Sequence, residues 1–392
     1  MYGLPFMRVW SLSLDFGGGL GYFLSTVIVL APVLSNYVLL GPISIGDFLC
    51  VAAVVPLVKY FRVDLLSIGV GFAAISTILI GLSVLFRDEM ILGFFRMAFY
   101  YLLFFFLISL REVSFKKFND IYIACAIIFS VSLIIQWTAY SFSSVSISLQ
   151  LPIPYYELDT LEVVDHIFRS GGWFKEPSYF AIFVAPALFY LANAKAYVRY
   201  FLVAFAGIVS TSSLAVFVIM LSAVYFLIRF RVGGFILVWL LLTLALALLG
   251  IFHFGAEWIF VSRVVDIFTS GGTLNERLVP ILDILLLSES ITPNPVAFDL
   301  VSTAGDSGLV WYSSAAYILA SLGWLGCLVI FSNFFRLGLL GGLILSTLTL
   351  TSHIFSGAYS FFIVVAFLGL NMEFRRLGPP RNSGNKFSYI GS

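Results

Sequence analysis

The chain has 392 residues, 61% of them hydrophobic and 10% charged, with a net charge of +1 and a mean hydropathy of +1.07. That excludes a water-soluble domain, because there is far more apolar side chain than one core can bury. It also excludes a β-barrel, whose segments are short and alternate in polarity. The balanced charge, with no basic tract before the tail, gives no reason to expect a nucleic-acid partner.

Apolar windows of roughly 18–20 residues, the length that spans a bilayer, recur along the sequence. They predict an all-α polytopic integral membrane protein, a single membrane domain over residues 1–392. About twelve transmembrane helices are expected, near 20–40, 43–58, 65–86, 91–110, 119–140, 179–194, 197–211, 213–228, 233–252, 309–331, 337–351 and 353–371. The stretch 197–228 admits another parsing. The first span lacks a small-residue cleavage site and is expected to be retained. Cys50, Cys125 and Cys327 fall inside apolar runs and read as small core residues rather than a disulfide framework.

Lysine and arginine set the orientation. With the N-terminus inside, fifteen of the 21 basic residues fall on inner segments, five on outer ones (Arg87, Arg169, Lys175, Arg263, Arg277), and Arg96 within the fourth span. Both termini are therefore expected in the cytoplasm, with 372–392 a basic cytoplasmic tail.

Two outer segments are long, 141–178 and 253–308, and loops of that length are usually functional or disordered. In the first, Leu158, Leu161, Val164 and Phe168 recur at helical spacing opposite Glu157, Asp159, Glu162 and Asp165. This pattern predicts a short amphipathic helix on the membrane surface over 156–168. In the second, Thr273 to Glu276 has a capping-box pattern ahead of a helix running to about Leu287, with a kink at Pro280.

These loops are acidic. Five carboxylates in the first and seven in the second face only Arg169, Lys175, Arg263 and Arg277. Arg169 precedes Ser170-Gly171-Gly172, and Arg277 follows Ser270-Gly271-Gly272. Glycine admits close backbone approach and positive φ, and arginine offers a planar, permanently charged fork suited to phosphate. Two such arginines suit one pyrophosphate; pairing of each with a neighbouring carboxylate is the plainer alternative. Glu176-Pro177-Ser178 opens the sixth span, and Asp306-Ser307-Gly308 opens the tenth. Each pattern starts a helix well, and each also presents a carboxylate at the water–lipid boundary as a candidate general base. Arg96 is an intramembrane charge, which marks a functional position unless it snorkels outward. His166, His253 and His353 have no zinc spacing. No nucleotide-binding or metalloprotease motif occurs in a usable context, so no metal or cofactor is expected and an enzyme here needs a substrate that arrives activated.

The run Arg169-Ser-Gly-Gly-Trp-Phe-Lys-Glu-Pro-Ser-Tyr-Phe-Ala181 resembles the Arg…Gly-x-Phe-x-Glu-Pro-Ser…Ala signature of the O-antigen polymerase (Wzy) and ligase superfamily. Asn275-Glu276-Arg277 looks like that group's second-loop arginine. The segment from Asp306-Ser-Gly to Gly323-Trp-Leu-Gly326 looks like the one where ligases carry His-Asn. The layout of about twelve spans with two large periplasmic loops is similar too, so the likeness covers the architecture of most of the chain but only three short motifs by residue.

The resemblance implies a metal-independent glycosyltransferase of the bacterial inner (cytoplasmic) membrane, with the large loops in the periplasm. Its donor and acceptor are undecaprenyl-diphosphate-linked glycans, its surroundings the lipid bilayer, and its partner a separate chain-length-regulating co-polymerase. Arg169 and Arg277 match the arginines that bind diphosphate, with Arg96 and Lys175 as further candidates and Gly171 and Gly172 as the loop backbone. The ligase histidine position holds Asp306 instead, which favours a polymerase of surface polysaccharide over an O-antigen ligase. Asp306 and Glu176 both remain candidates for the base. A polysaccharide flippase is the transporter alternative; the few intramembrane charges and the lack of related halves disfavour it.

Overall fold

The computed structural model describes residues 14–15, 19–40, 43–56, 113–114, 117–145, 147–155, 162–164 and 167–229, with single positions at 315, 344, 348, 358, 359, 362, 363, 365 and 366. The described chain is mostly helical. In chain order it runs β1 (Leu14–Asp15), α1 (Gly19–Leu34), β2 (Val38–Leu40), β3 (Ile43–Ser44), α2 (Ile45–Val54), β4 (Val113–Ser114), α3 (Phe118–Ser143), β5 (Glu162–Val164), β6 (Ile167–Arg169), α4 (Pro177–Asn193), α5 (Tyr197–Val209) and α6 (Ser213–Arg229).

These six helices fall on six of the twelve expected spans. The other six spans lie outside the described residues, apart from single helical positions such as Tyr359 and Phe362 near the C-terminal end. Among the described residues α3, with 26, is the one helix long and apolar enough to cross a membrane; the rest are shorter apolar helices of 10–17 residues. At 1.5 Å per residue α3 reaches about 39 Å.

Local chemistry explains the boundaries. Ser44 caps α2: its hydroxyl accepts the Asp47 amide at 3.0 Å, and the Asp47 carboxylate accepts the Ser44 amide at 2.9 Å. Asp47 thus completes a capping box. Pro177 takes the first position of α4, where its missing amide donor is of no consequence. The 197–228 stretch divides in two because Thr211 turns left-handed at φ 57°, between the end of α5 and the start of α6.

One expectation is corrected. Residues 162–164 and 167–169 form an antiparallel hairpin with Glu162 opposite Arg169, Val163 opposite Phe168 and Val164 opposite Ile167. They are not part of an amphipathic helix over 156–168. The β-branched and aromatic residues Val163, Val164, Ile167 and Phe168 pair well across strands, and that local preference overrides the helical spacing.

The helices alternate in direction. The C-terminal ends of α1 and α3 meet the N-terminal end of α4: Asn36 donates to the Trp173 carbonyl at 3.1 Å, and the Trp173 indole donates to Ser132 at 2.8 Å. At the opposite end, β1 pairs in parallel with β4, and the Lys117 ammonium lies 5.6 Å from the centre of the Tyr22 ring. Tyr179 stacks on Tyr359 and Phe183 on Phe362, with centroids 4.6 and 4.7 Å apart, so Tyr359 and Phe362 lie against α4 in the same order along it.

The core is aromatic. Phe118, Tyr122, Phe129, Phe174, Phe180, Phe183, Phe189 and Phe362 are all buried. Within α4, the Tyr122 hydroxyl donates to the Phe183 carbonyl at 2.6 Å and accepts the Ala187 amide at 2.8 Å. Those two groups pair with each other in an uninterrupted helix. Their neighbour Pro186 supplies no amide, and a side chain inserted into the backbone ladder beside proline is a known way to bend a helix.

The exposed faces are apolar as well. On α5, Val198 is 82% and Phe201 67% exposed, followed by Phe205 and Ile208 on the same face; Ile128, Val131 and Ile135 form a similar stripe on α3. Apolar surface that is both contiguous and exposed marks a face made for lipid or for a partner.

Candidate functional site

The site grows from the turn between the hairpin and α4. Arg169 ends β6, and the backbone register sets it opposite Glu162. Ser170 follows and is completely buried. Its hydroxyl donates to the Gln136 side-chain carbonyl at 2.8 Å and accepts the Gly172 amide at 3.0 Å. The Gln136 amide group donates to the Ile147 carbonyl at 2.6 Å. One buried glutamine of α3 therefore ties together the start and the end of the first long loop.

Gly171 and Gly172 are glycines for different reasons. A Cβ on Gly171 would lie 2.6 Å from the carbonyl carbon and oxygen of Glu176 and 2.7 Å from the Phe174 oxygen. Gly172 has room but adopts φ +65°, a conformation glycine reaches without strain. The turn closes with the Phe174 amide donating to the Gly171 carbonyl at 3.2 Å. Phe174 is wholly buried, with its ring 5.0 Å from Phe183 and 5.7 Å from Phe129 between centroids. It anchors the turn in the core.

Lys175 and Glu176 are half-buried. Glu176 is the N-cap residue of α4 in extended conformation, and its backbone carbonyl accepts the Tyr179 and Phe180 amides. Its side chain does not cap the helix; instead, one carboxylate oxygen accepts the Ser178 hydroxyl at 3.1 Å. Glu176 thus makes a sound helix start and also stands at the mouth of the turn.

Of the residues singled out from sequence, Arg169, Gly171, Gly172, Lys175 and Glu176 come together in this one segment. Arg96, Arg277 and Asp306 lie outside the described residues, as does the expected helix after Thr273. Among the described residues no three His, Cys, Asp or Glu side chains gather as metal ligands. Sequence reasoning missed Gln136, Asn36 and Ser132, which hold the segment in place. The signal was a polar residue within an apolar run, but nothing in the sequence names its distant partner.

Comparison with known proteins adds no further constraint: no family model, curated protein or solved structure matches the chain.

Proposed function

We propose that this chain is an inner-membrane glycosyltransferase that polymerises undecaprenyl-diphosphate-linked repeat units into a surface polysaccharide on the periplasmic side. The observation that carries the reading is the hydrogen-bonded turn from Arg169 to Glu176. It joins a permanently charged residue, two buried glycines that the tight turn requires, and a carboxylate at a helix N-terminus. It lies at one end of a bundle whose outward faces are apolar.

The chemistry asked of such a site is a displacement at the anomeric carbon of the donor. A base takes the proton of an acceptor sugar hydroxyl. The resulting oxygen forms the new C–O bond while the bond from anomeric carbon to diphosphate breaks and the diphosphate leaves as an anion. Fixed cations stabilise the charge that develops on that leaving group, the role assigned to Arg169 and Arg277, with Lys175 and Arg96 as further candidates. Glu176 and Asp306 are the carboxylates available as base.

A lipopolysaccharide gel from a clean deletion in the native host tests the reading. Core bearing a single repeat, with the ladder lost, is the expected result. An Arg277→Ala variant that still reaches the membrane reproduces it, with polymerisation slowed roughly 100-fold or more. Bare core overturns the proposal: with lipid-linked polymer accumulating it indicates a ligase, and without such polymer a flippase.

A further inference from the structure

Tyr359 is a residue that the reading above leaves unused. It is 2% exposed, and its ring stacks on Tyr179 of α4 at 4.6 Å between centroids. Among the described residues its hydroxyl has no hydrogen-bond partner. A buried hydroxyl in that condition is rare and calls for a reason. Tyr179, Ser35 and Glu176 lie within electrostatic reach of it. Ser35 gives its own hydroxyl proton to the Pro32 carbonyl at 2.6 Å and offers the phenol an oxygen, though no bond between the two is closed. Glu176 is different: the bond it accepts from Ser178 spans 3.1 Å, long beside the roughly 2.7–2.8 Å usual between a hydroxyl and an oxygen acceptor. A donor without a closed bond therefore lies about one helical turn from a loosely held acceptor, since Tyr179, on which its ring stacks, donates its amide to the Glu176 carbonyl at 3.1 Å.

We propose that Tyr359 is the positioning residue for Glu176, donating its phenol hydroxyl to the Glu176 carboxylate when substrate occupies the site. The carboxylate then turns from Ser178 toward Tyr359, and its second oxygen faces the acceptor sugar hydroxyl from a fixed direction. Hydrogen bonds at catalytic residues commonly tighten only in the substrate complex, and a base held in place acts faster than one that wanders. Tyr359 need not touch substrate, which accords with its burial. The inference rests on Glu176 acting in the proposed transfer, and it favours Glu176 over Asp306 as the base.

The test uses the full chain in proteoliposomes and the lipid-linked repeat unit extracted from the deletion strain, with Tyr359→Phe as the variant. Phenylalanine keeps the stacked ring and removes only the hydroxyl. The expected result is a fall in kcat of roughly 10- to 100-fold with KM little changed, alongside a melting temperature equal to or above that of the unaltered protein. A role confined to packing predicts no change in kcat, and unchanged kcat overturns the proposal. A kcat loss matched by a fall in melting temperature also overturns it, because the hydroxyl would then be structural. Glu176→Gln separates the two levels of argument. If it is inactive while Tyr359→Phe is normal, the positioning role alone fails. If it polymerises normally, the assignment of Glu176 fails and the positioning role fails with it.

Discussion

Gly171 and Gly172 are neighbours with the same side chain and different constraints, and substitution distinguishes them. Alanine at 171 drives a methyl group into the backbone of Glu176 and Phe174, at 2.6–2.7 Å. Backbone atoms cannot swing aside, so the turn must shift, with overpacking of this kind costing about 1–3 kcal/mol. Alanine at 172 finds its nearest neighbour, Leu133, at 3.6 Å, and its penalty is the left-handed backbone alone, roughly 1–2 kcal/mol. Asparagine, which tolerates that conformation better, recovers part of the loss at 172 but none at 171. Thermal unfolding in detergent is expected to rank Gly171→Ala lowest, Gly172→Ala next and Gly172→Asn nearest the unaltered protein. An inverted ranking means that the turn is built differently. The Arg-Ser-Gly-Gly and Glu-Pro-Ser strings made most of this segment legible in the sequence, since charge and glycine stand out in an apolar chain. Gln136 did not stand out, because its partner Ser170 lies 34 positions away and a lone glutamine carries no sign of what it bonds.

Elements were legible in proportion to their length. The apolar blocks that become α3, α4, α5 and α6 are bounded by charged and small polar residues, and their ends moved by only a few positions. The short segment 162–169 was misread because its apolar residues satisfy two periods at once, and in so few residues strand preference decides. What the sequence conceals at this scale is how α4 tolerates Pro186. The Tyr122 hydroxyl holds both the Phe183 carbonyl and the Ala187 amide, so a tyrosine on α3 completes the backbone of α4. Tyr122→Phe leaves the ring contacts with Phe183 and Phe362 in place and removes only that bridge. Leaving buried backbone groups without a partner costs about 1–3 kcal/mol each, and partial closing of the helix ladder recovers some of it. The expected outcome is a loss of about 2 kcal/mol in unfolding free energy, without loss of the helical circular-dichroism signal. No change in stability would show that the ladder closes directly.

For the whole molecule, the apolar faces and the alternation of helix direction bear on the same question: which end of the bundle faces which side of a membrane. The bundle end that joins α1, α3 and α4 carries Ser170, Gly171, Gly172 and Glu176, and the first long loop returns to it through the Gln136 bridge. On the orientation expected from the distribution of basic residues, that end lies outside and the turn holding Lys195 inside. Two exposed positions report on this assignment: Val145 just beyond α3 and Ala194 at the end of α4. With Cys50, Cys125 and Cys327 replaced by alanine, the Val145→Cys and Ala194→Cys variants each carry a single thiol. A membrane-impermeant maleimide applied to cells with a permeabilised outer membrane is expected to label the Val145→Cys protein at once, and the Ala194→Cys protein only after lysis. The opposite pattern reverses the bundle and moves the Arg169–Glu176 segment to the cytoplasm, where it cannot serve a periplasmic transfer. Labelling of both before lysis removes the bilayer between them, and with it the explanation of why Val198, Phe201 and Ile128 stand exposed. The expected pattern sets the turn from Arg169 to Glu176 on the side where the proposed transfer takes place, next to the apolar outward faces of the bundle.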